Sequence, residues 1–298
     1  VDTPKTPLRA GFARTDDGYE LYWRAIGSGP AIVCCNGVGV STFFFKYIAD
    51  HFRHRFTVVL WDYRGHGRST SPVDPATADL SIERNAVDLF QVTDAIGLDG
   101  PLVLAGHSMG CQVILEAVRQ RPERVAALIP MLGTFSRPLD TFMDSPYSRP
   151  IFNVIKRAAD MGGKAGTRAL LPLYANRLAY RVGGATGLVD RHYAMKQDID
   201  KYLEHLVHMD PRVFLRMVDL MADHDMEPVL PTITAPTLVI AAENDMFTPL
   251  HRSRFMAGAI PGAELLVLAE ASHAAIVEHP ETINRRIDRF FAERLPPA

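Results

Sequence analysis

Residues 106–110 read Gly-His-Ser-Met-Gly, between the apolar run 101–105 and the amphipathic stretch 111–118. A Gly-x-Ser-x-Gly pentapeptide at a strand-to-helix junction is a device for presenting a nucleophile. The sharp turn raises the middle side chain above the sheet edge, and the flanking glycines remove Cβ atoms that would collide in so tight a turn. Ser108 then stands at a helix N-terminus, where the positive end of the dipole and free N–H groups favour a developing oxyanion. A serine hydroxyl is a weak nucleophile at neutral pH; it needs a base, and the base needs an orienting acid. Two late segments supply candidates. Residues 236–249 form an apolar run ending in a turn that carries Glu243 and Asp245, and Asp225 is a further carboxylate upstream. Residues 264–273 form another apolar run followed by a loop carrying His273, with His279 nearby. The C-terminal ends of strands in an open parallel sheet face one crevice, so side chains from these two turns can converge on Ser108.

The elements that must position these residues are legible as periodicity. Strand patterns occur at 19–25, 31–35, 56–61, 102–105 and 125–131, with helical spacing at 43–52 and 82–96. In the latter stretch Ile82, Ala86, Leu89, Phe90, Thr93 and Ile96 share one face behind Ser81, without a full capping box. Alternating buried strands and helices predict a mostly parallel sheet covered by helices. From about Thr134 to Leu230 strand signals stop and four helical stretches follow, broken by Gly162-Gly163 and by Gly183-Gly184 with Gly187. One of these helices should open at Asp210-Pro211, an N-cap followed by proline at the first helical position, with Phe214, Leu215, Val218 and Met221 on its apolar face. The alternation resumes with a strand at 236–242, a helix near 252–259, a strand at 263–268 and a last helix at 280–294. The reading is one α/β domain, residues 1–133 and 231–298, interrupted by a helical cap at 134–230.

At this point the chain resembles the α/β-hydrolase fold family over nearly its whole length. The order Ser, Asp, His along the sequence is the order that family uses. Trp61-Asp-Tyr-Arg-Gly-His-Gly-Arg-Ser69 is similar to the family's turn after its fourth strand, and residues 272–280 are similar to its catalytic-histidine loop. The resemblance implies a mostly parallel sheet flanked by helices, with the cap inserted after the sixth strand. It assigns Ser108, Asp245 and His273 as the catalytic residues, Asp245 being preferred over Glu243 and Asp225 because it matches the family's acid position. The alternative acid position after the sixth strand holds Gly133-Thr134 and no carboxylate. His279, before Pro280, is read as structural.

The oxyanion hole needs two donors. One is the N–H of Met109, immediately after the nucleophile; the other, by resemblance, is the N–H of Val38 in the loop Asn36-Gly-Val-Gly39. Here the chain departs from the family, since the usual His-Gly dipeptide is Asn36-Gly37. Serine at the elbow argues against haloalkane dehalogenases and epoxide hydrolases, relatives that carry aspartate there. What remains is a carboxylesterase first, with an enol-lactone-type lactonase, a C–C bond hydrolase or a perhydrolase as alternatives on the same three residues. A ligand receptor without turnover is the alternative from another class.

Composition narrows the substrate less than the mechanism. At 298 residues and 47% hydrophobic, the chain can bury a large core. A net charge of −2, with basic residues scattered among acids, gives no electrostatic case for nucleic acid or an anionic membrane. No apolar run approaches spanning length. Three cysteines make no disulfide framework, and no secretory signal is visible, so a cytoplasmic protein is expected. His205, His208 and His224 are read as ordinary helix histidines rather than metal ligands, and no cofactor is expected. His66 and His107 are read as structural, Asp62 and Arg64 as a pair holding their turn, and Cys111 as a small packed residue. Eight of the eleven methionines lie between Met131 and Met226, among Phe135, Phe142, Tyr147, Phe152, Tyr174 and Tyr193, while Phe43–Phe45 follow the oxyanion loop. Most of this is cap packing; Phe43, Phe135 and Phe142 are the candidates for lining an apolar substrate pocket.

Overall fold

The computed structural model of the protein describes residues 8–169 and 196–295. Eight strands form one sheet: β1 (Leu8–Arg14), β2 (Glu20–Gly27), β3 (Ala31–Cys35), β4 (Thr57–Trp61), β5 (Leu102–His107), β6 (Val125–Met131), β7 (Leu238–Ala242) and β8 (Glu264–Leu268). Their spatial order is β1-β2-β4-β3-β5-β6-β7-β8. β2 pairs antiparallel with both β1 and β4, and every later pairing is parallel. This is the α/β-hydrolase fold. The edge strand β1 has no counterpart in the sequence reading: its Arg-, Gly- and Ala-rich stretch is mostly exposed and lacks a clean alternation. Pairing of all seven of its residues with β2 makes it a strand.

The central strands are buried on both faces, so they read as unbroken apolar runs. Period-two geometry still sorts them. In β3, Ala31, Val33 and Cys35 pack on one side and Ile32 and Cys34 on the other. The first side is covered by α2 (Ile82–Ile96), α3 (Met109–Gln120) and, through Met256, the helix Leu250–Ala259; the second by α1 (Lys46–Phe52) and the C-terminal helix Pro280–Arg294. Ser81 Oγ accepts from Arg84 N–H and starts α2, a one-sided cap, and Gly97 ends it in the left-handed conformation.

Between β6 and β7 the described elements are helical: α4 (Pro138–Thr141), α5 (Ser148–Ala169), α6 (Lys196–His208), α7 (Pro211–Asp223) and two short 3₁₀ turns. The expected break is present inside α5: Gly163, at φ 54° and ψ −155°, is non-helical and separates two helical stretches at a kink. α7 opens as expected, with the Asp210 side chain accepting from Arg212 N–H and Pro211 in the first turn. An antiparallel bridge between Ser136 and Asp225 closes the neck where this insertion leaves and rejoins the sheet. The break at Gly183, Gly184 and Gly187, and Tyr174 and Tyr193, lie outside the described residues. Among the described residues no helix is long and apolar enough to cross a membrane.

Candidate active site

β5 ends in the turn carrying Ser108, whose backbone sits at φ 56° and ψ −120°. For a residue with a Cβ that is a strained conformation, held here by a hydrogen bond from its own N–H to Met131 O at 3.1 Å and by Cys111 N–H donating to its carbonyl at 3.0 Å. Gly110 is needed for a different reason: a Cβ there would lie 2.1 Å from Cys35 O, so α3 could not approach the end of β3. Cys111 is fully buried, its thiol donating to Gly106 O and Met131 O at 3.3 Å, and burial pushes it well above its usual range.

Ser108 Oγ lies 3.0 Å from His273 Nε2. His273 Nδ1 lies 2.9 and 3.0 Å from the two oxygens of Asp245. Asp245 is 4% exposed and fully coordinated: Oδ1 accepts from Phe247 N–H and Thr248 N–H at 2.9 Å, and Oδ2 accepts from Thr248 Oγ1 at 2.6 Å. Burial alone would raise its pKa. The neighbouring His273 and the Thr248 hydrogen bonds outweigh that and hold the carboxyl below the usual carboxylate range. The rival acids lie elsewhere. Glu243 is exposed and accepts from Glu270 N–H, and Asp225 pairs with Arg137 at the neck. His279 occupies the N-cap position of the C-terminal helix, ahead of Pro280, without a side-chain cap.

His273 stands on a loop held from two sides. The Glu278 carboxylate accepts from Ser272 N–H at 3.0 Å and Ser272 Oγ at 2.6 Å, and His107 Nε2 donates to His273 O at 3.1 Å. His107 is buried, and burial together with the nearby His273 lowers its pKa to about 3, so it remains a neutral donor to that carbonyl. These supports were not foreseen from sequence as a set. Only the Asp-x-x-Thr-Pro stretch at 245–249 carries a local signal, since an aspartate that accepts from N–H groups two and three residues on is a recognisable turn.

The loop after β3 passes beside the serine. A Cβ on Gly37 would lie 3.0 Å from Ser108 Cβ and 3.5 Å from its Oγ. Val38 is half-buried, and neither its N–H nor that of Met109 is committed to a hydrogen bond among the described residues. Aromatic rings flank the histidine: Phe247 packs on His273 with centroids 4.7 Å apart, and Phe142 packs on Phe247 at 4.9 Å. Phe43 packs edge-on to Phe44, whose ring contacts His107, which in turn packs against His273. Phe135 departs from the expectation of a pocket residue. It is fully buried, stacked on Phe255 beneath the Arg252 guanidinium, because the chain turns there from the sheet into the neck.

The turn after β4 corrects a further expectation. Asp62 and Arg64 do not pair. Arg64 is buried between Asp88 and Asp17, with four hydrogen bonds of 2.5–2.9 Å. Asp62 instead accepts from the backbone N–H groups of Thr42 and Arg68, at 3.0 and 3.1 Å. In the tight turn the Asp62 side chain folds back under Gly67 and cannot also reach outward to the guanidinium.

Comparison with known proteins agrees with this architecture. RutD of Stutzerimonas stutzeri (strain A1501), which carries a carbamate-hydrolase name, is 29% identical over 279 residues, covering 93% of this chain and 97% of its own. RutD of Caulobacter vibrioides (strain NA1000 / CB15N) is 28% identical over 280 residues, 93% of this chain and 96% of its own. Among solved structures, a thermophilic esterase from Thermogutta terrifontis superposes with a TM-score of 0.76 at 23% identity, covering 97% of this chain and 100% of the other. The enol-lactonase from Burkholderia xenovorans LB400 gives 0.74 at 20% identity, covering 95% and 100%. At such identities the structural likeness is one of fold. The sequence profile of the alpha/beta hydrolase family matches residues 32–286. With the strand order, the elbow after β5 and this match over most of its length, the chain belongs to the alpha/beta hydrolase family.

Proposed function

We propose that the protein is a serine hydrolase that cleaves a carboxylic ester of a small, largely apolar substrate through an acyl-enzyme. The observation that carries this reading is the continuous hydrogen-bonded line from Ser108 Oγ through the His273 ring to Asp245. In it, Ser108 attacks the carbonyl carbon as His273 Nε2 takes its proton. Asp245 keeps the Nδ1 tautomer in place and stabilises the imidazolium that forms. The N–H groups of Met109 and Val38 receive the oxyanion, the first helped by the N-terminus of α3. His273 returns the proton to the leaving alkoxide, and water attacks the acyl-enzyme by the same route in reverse. Phe43 and Phe142, each linked to the histidine through a chain of packed rings, suit apolar substituents.

Hydrolysis of p-nitrophenyl acetate and butyrate tests the reading. Replacing Ser108 by Ala should lower kcat by roughly 10⁶-fold, and a fluorophosphonate should label wild type at that residue and not the variant. Turnover close to wild type in S108A would refute it. A second reading has its own support, because the RutD relatives match nearly the full chain under a carbamate-hydrolase name. A carbamate carbonyl would use the same nucleophile, base and oxyanion donors. Matched p-nitrophenyl carbamates in the same assay separate the two: a kcat/KM above that of the esters favours the carbamate.

A further inference from the structure

The loop that carries Val38 is tied at three points to a single neighbour. Asn36 Nδ2 donates to Trp61 O at 3.1 Å, Gly39 N–H donates to His66 Nε2 at 3.0 Å, and Thr42 N–H donates to Asp62 Oδ1 at 3.0 Å. All three partners belong to the end of β4 and the turn that follows it. That turn is itself firmly held. Arg64 is locked between Asp17 and Asp88, and Ser69 Oγ donates to Asp62 O at 2.6 Å while accepting from Tyr22 N–H at 2.8 Å. The loop is therefore fastened to a rigid base at both ends and at its middle.

The middle tie lies closest to the N–H that matters. Gly39 follows Val38 directly, so the peptide it donates from is hinged to the Val38 N–H only through the backbone torsions of Val38. Above, Gly39 is pressed by the cap: with φ at 75°, a Cβ there would lie 2.9 Å from Leu206 and 3.0 Å from Phe214, on α6 and α7. On its amide side it donates to the His66 ring nitrogen. His66 Nδ1 lies 3.1 Å from Arg64 O. The tautomer that donates there leaves Nε2 as the bare acceptor that Gly39 N–H requires. Complete burial keeps the ring neutral, lowering its pKa to about 3.

We propose that His66 is a positioning residue for the hydrolysis: by accepting the Gly39 N–H, it fixes the direction in which the Val38 N–H meets the carbonyl oxygen under attack. The assignment rests on the serine-hydrolase reading above. His66 touches no reacting atom and acts through the loop, so its loss should appear in transition-state stabilisation rather than in substrate binding.

His66→Phe keeps a planar ring and removes the acceptor, and His66→Gln supplies an acceptor oxygen instead. With p-nitrophenyl acetate, H66F should lower kcat by about 10²-fold, the scale of one oxyanion donor, with KM moving less than about threefold. H66Q should recover at least about tenfold of that loss. An H66F protein that unfolds cooperatively like wild type and keeps kcat within about twofold overturns the proposal, as does a loss that H66Q leaves unrepaired. Should H66F fail to fold, ¹⁵N NMR of the wild-type ring decides. An unprotonated Nε2 scalar-coupled to the Gly39 amide nitrogen supports the tie, and a protonated Nε2 overturns it. S108A is measured alongside: wild-type protein without Ser108-dependent turnover would refute the hydrolase reading itself, a different result from an intact enzyme indifferent to His66.

Discussion

Asp245 shows how much of a single residue's chemistry is set by its partners. Its carboxylate accepts three hydrogen bonds from its own turn and faces His273 with both oxygens, so it stays ionised despite near-complete burial. Asparagine at this position would keep the size and lose the charge. It would also offer an amide N–H where His273 Nδ1–H needs an acceptor, favouring the wrong tautomer. Asp245→Asn should therefore lower kcat for p-nitrophenyl acetate by about 10⁴-fold while leaving the fold intact by circular dichroism. A loss below about tenfold would show that Asp245 is not the residue orienting the base. Spacing alone leaves Glu243 and Asp225 as rivals, and only the family resemblance selects Asp245, because a carboxylate's reach depends on the turn it sits in. The Thr248 bonds that aim Asp245 inward exist only once that turn is folded.

At the scale of elements, the elbow works because α3 can lie against the end of β3. Gly110 makes that approach possible, at the point where β3 leads into the loop carrying Val38. A methyl group on residue 110 would collide with the backbone carbonyls of Cys35 and Asn36, which cannot swing aside as a side chain could. Gly110→Ala is expected to cost about 3 kcal/mol or more. In thermal unfolding that corresponds to a fall in Tm of roughly 5–10 °C, with kcat falling as well because the displaced segment leads into the loop proposed to bind the oxyanion. An alanine variant with unchanged Tm would mean that helix and strand do not approach as described. The pentapeptide is legible in the sequence because its glycines are demanded locally. The partner that makes Gly110 indispensable is about 75 residues away and is legible only in the fold.

Across the whole molecule, buried hydrogen bonds tie α3 to the end of α7, where the chain returns toward the sheet. Glu116 on α3 is buried beside His224, the residue that ends α7, and also contacts Arg119 and Gln120. Burial opposes its ionisation, but the hydrogen bonds from His224, Arg119 and Gln120 outweigh it and hold Glu116 at about 2, below its ordinary 4.5. A carboxyl depressed in the folded state contributes stability above its unfolded value, here 4.5, and that contribution is lost as pH falls through about 2. Asp17, Asp245, Glu264 and Asp288 shift in the same direction, while buried Asp62 shifts upward and works against them. Tm should therefore drop steeply as the pH is lowered from 5 toward 2, and Glu116→Gln should flatten that drop in scanning calorimetry. Equal acid slopes for the two proteins would remove Glu116 from the account.

The alternation of elements and the Gly-x-Ser-x-Gly turn were legible in the sequence, because both rest on local rules: side-chain period, buried runs and glycine at a sharp junction. The bounds of β3, α2, β6 and the last helix coincide with the periodic reading. Strand β1, the Arg64 partnership with Asp17 and Asp88, and the burial of Phe135 away from open space were decided by tertiary structure. So was the meeting of Ser108, His273 and Asp245 within hydrogen-bond distance. Each of these depends on which distant segments lie side by side. A one-dimensional pattern can report that a residue is suited to a role; only packing fixes which partner it finds.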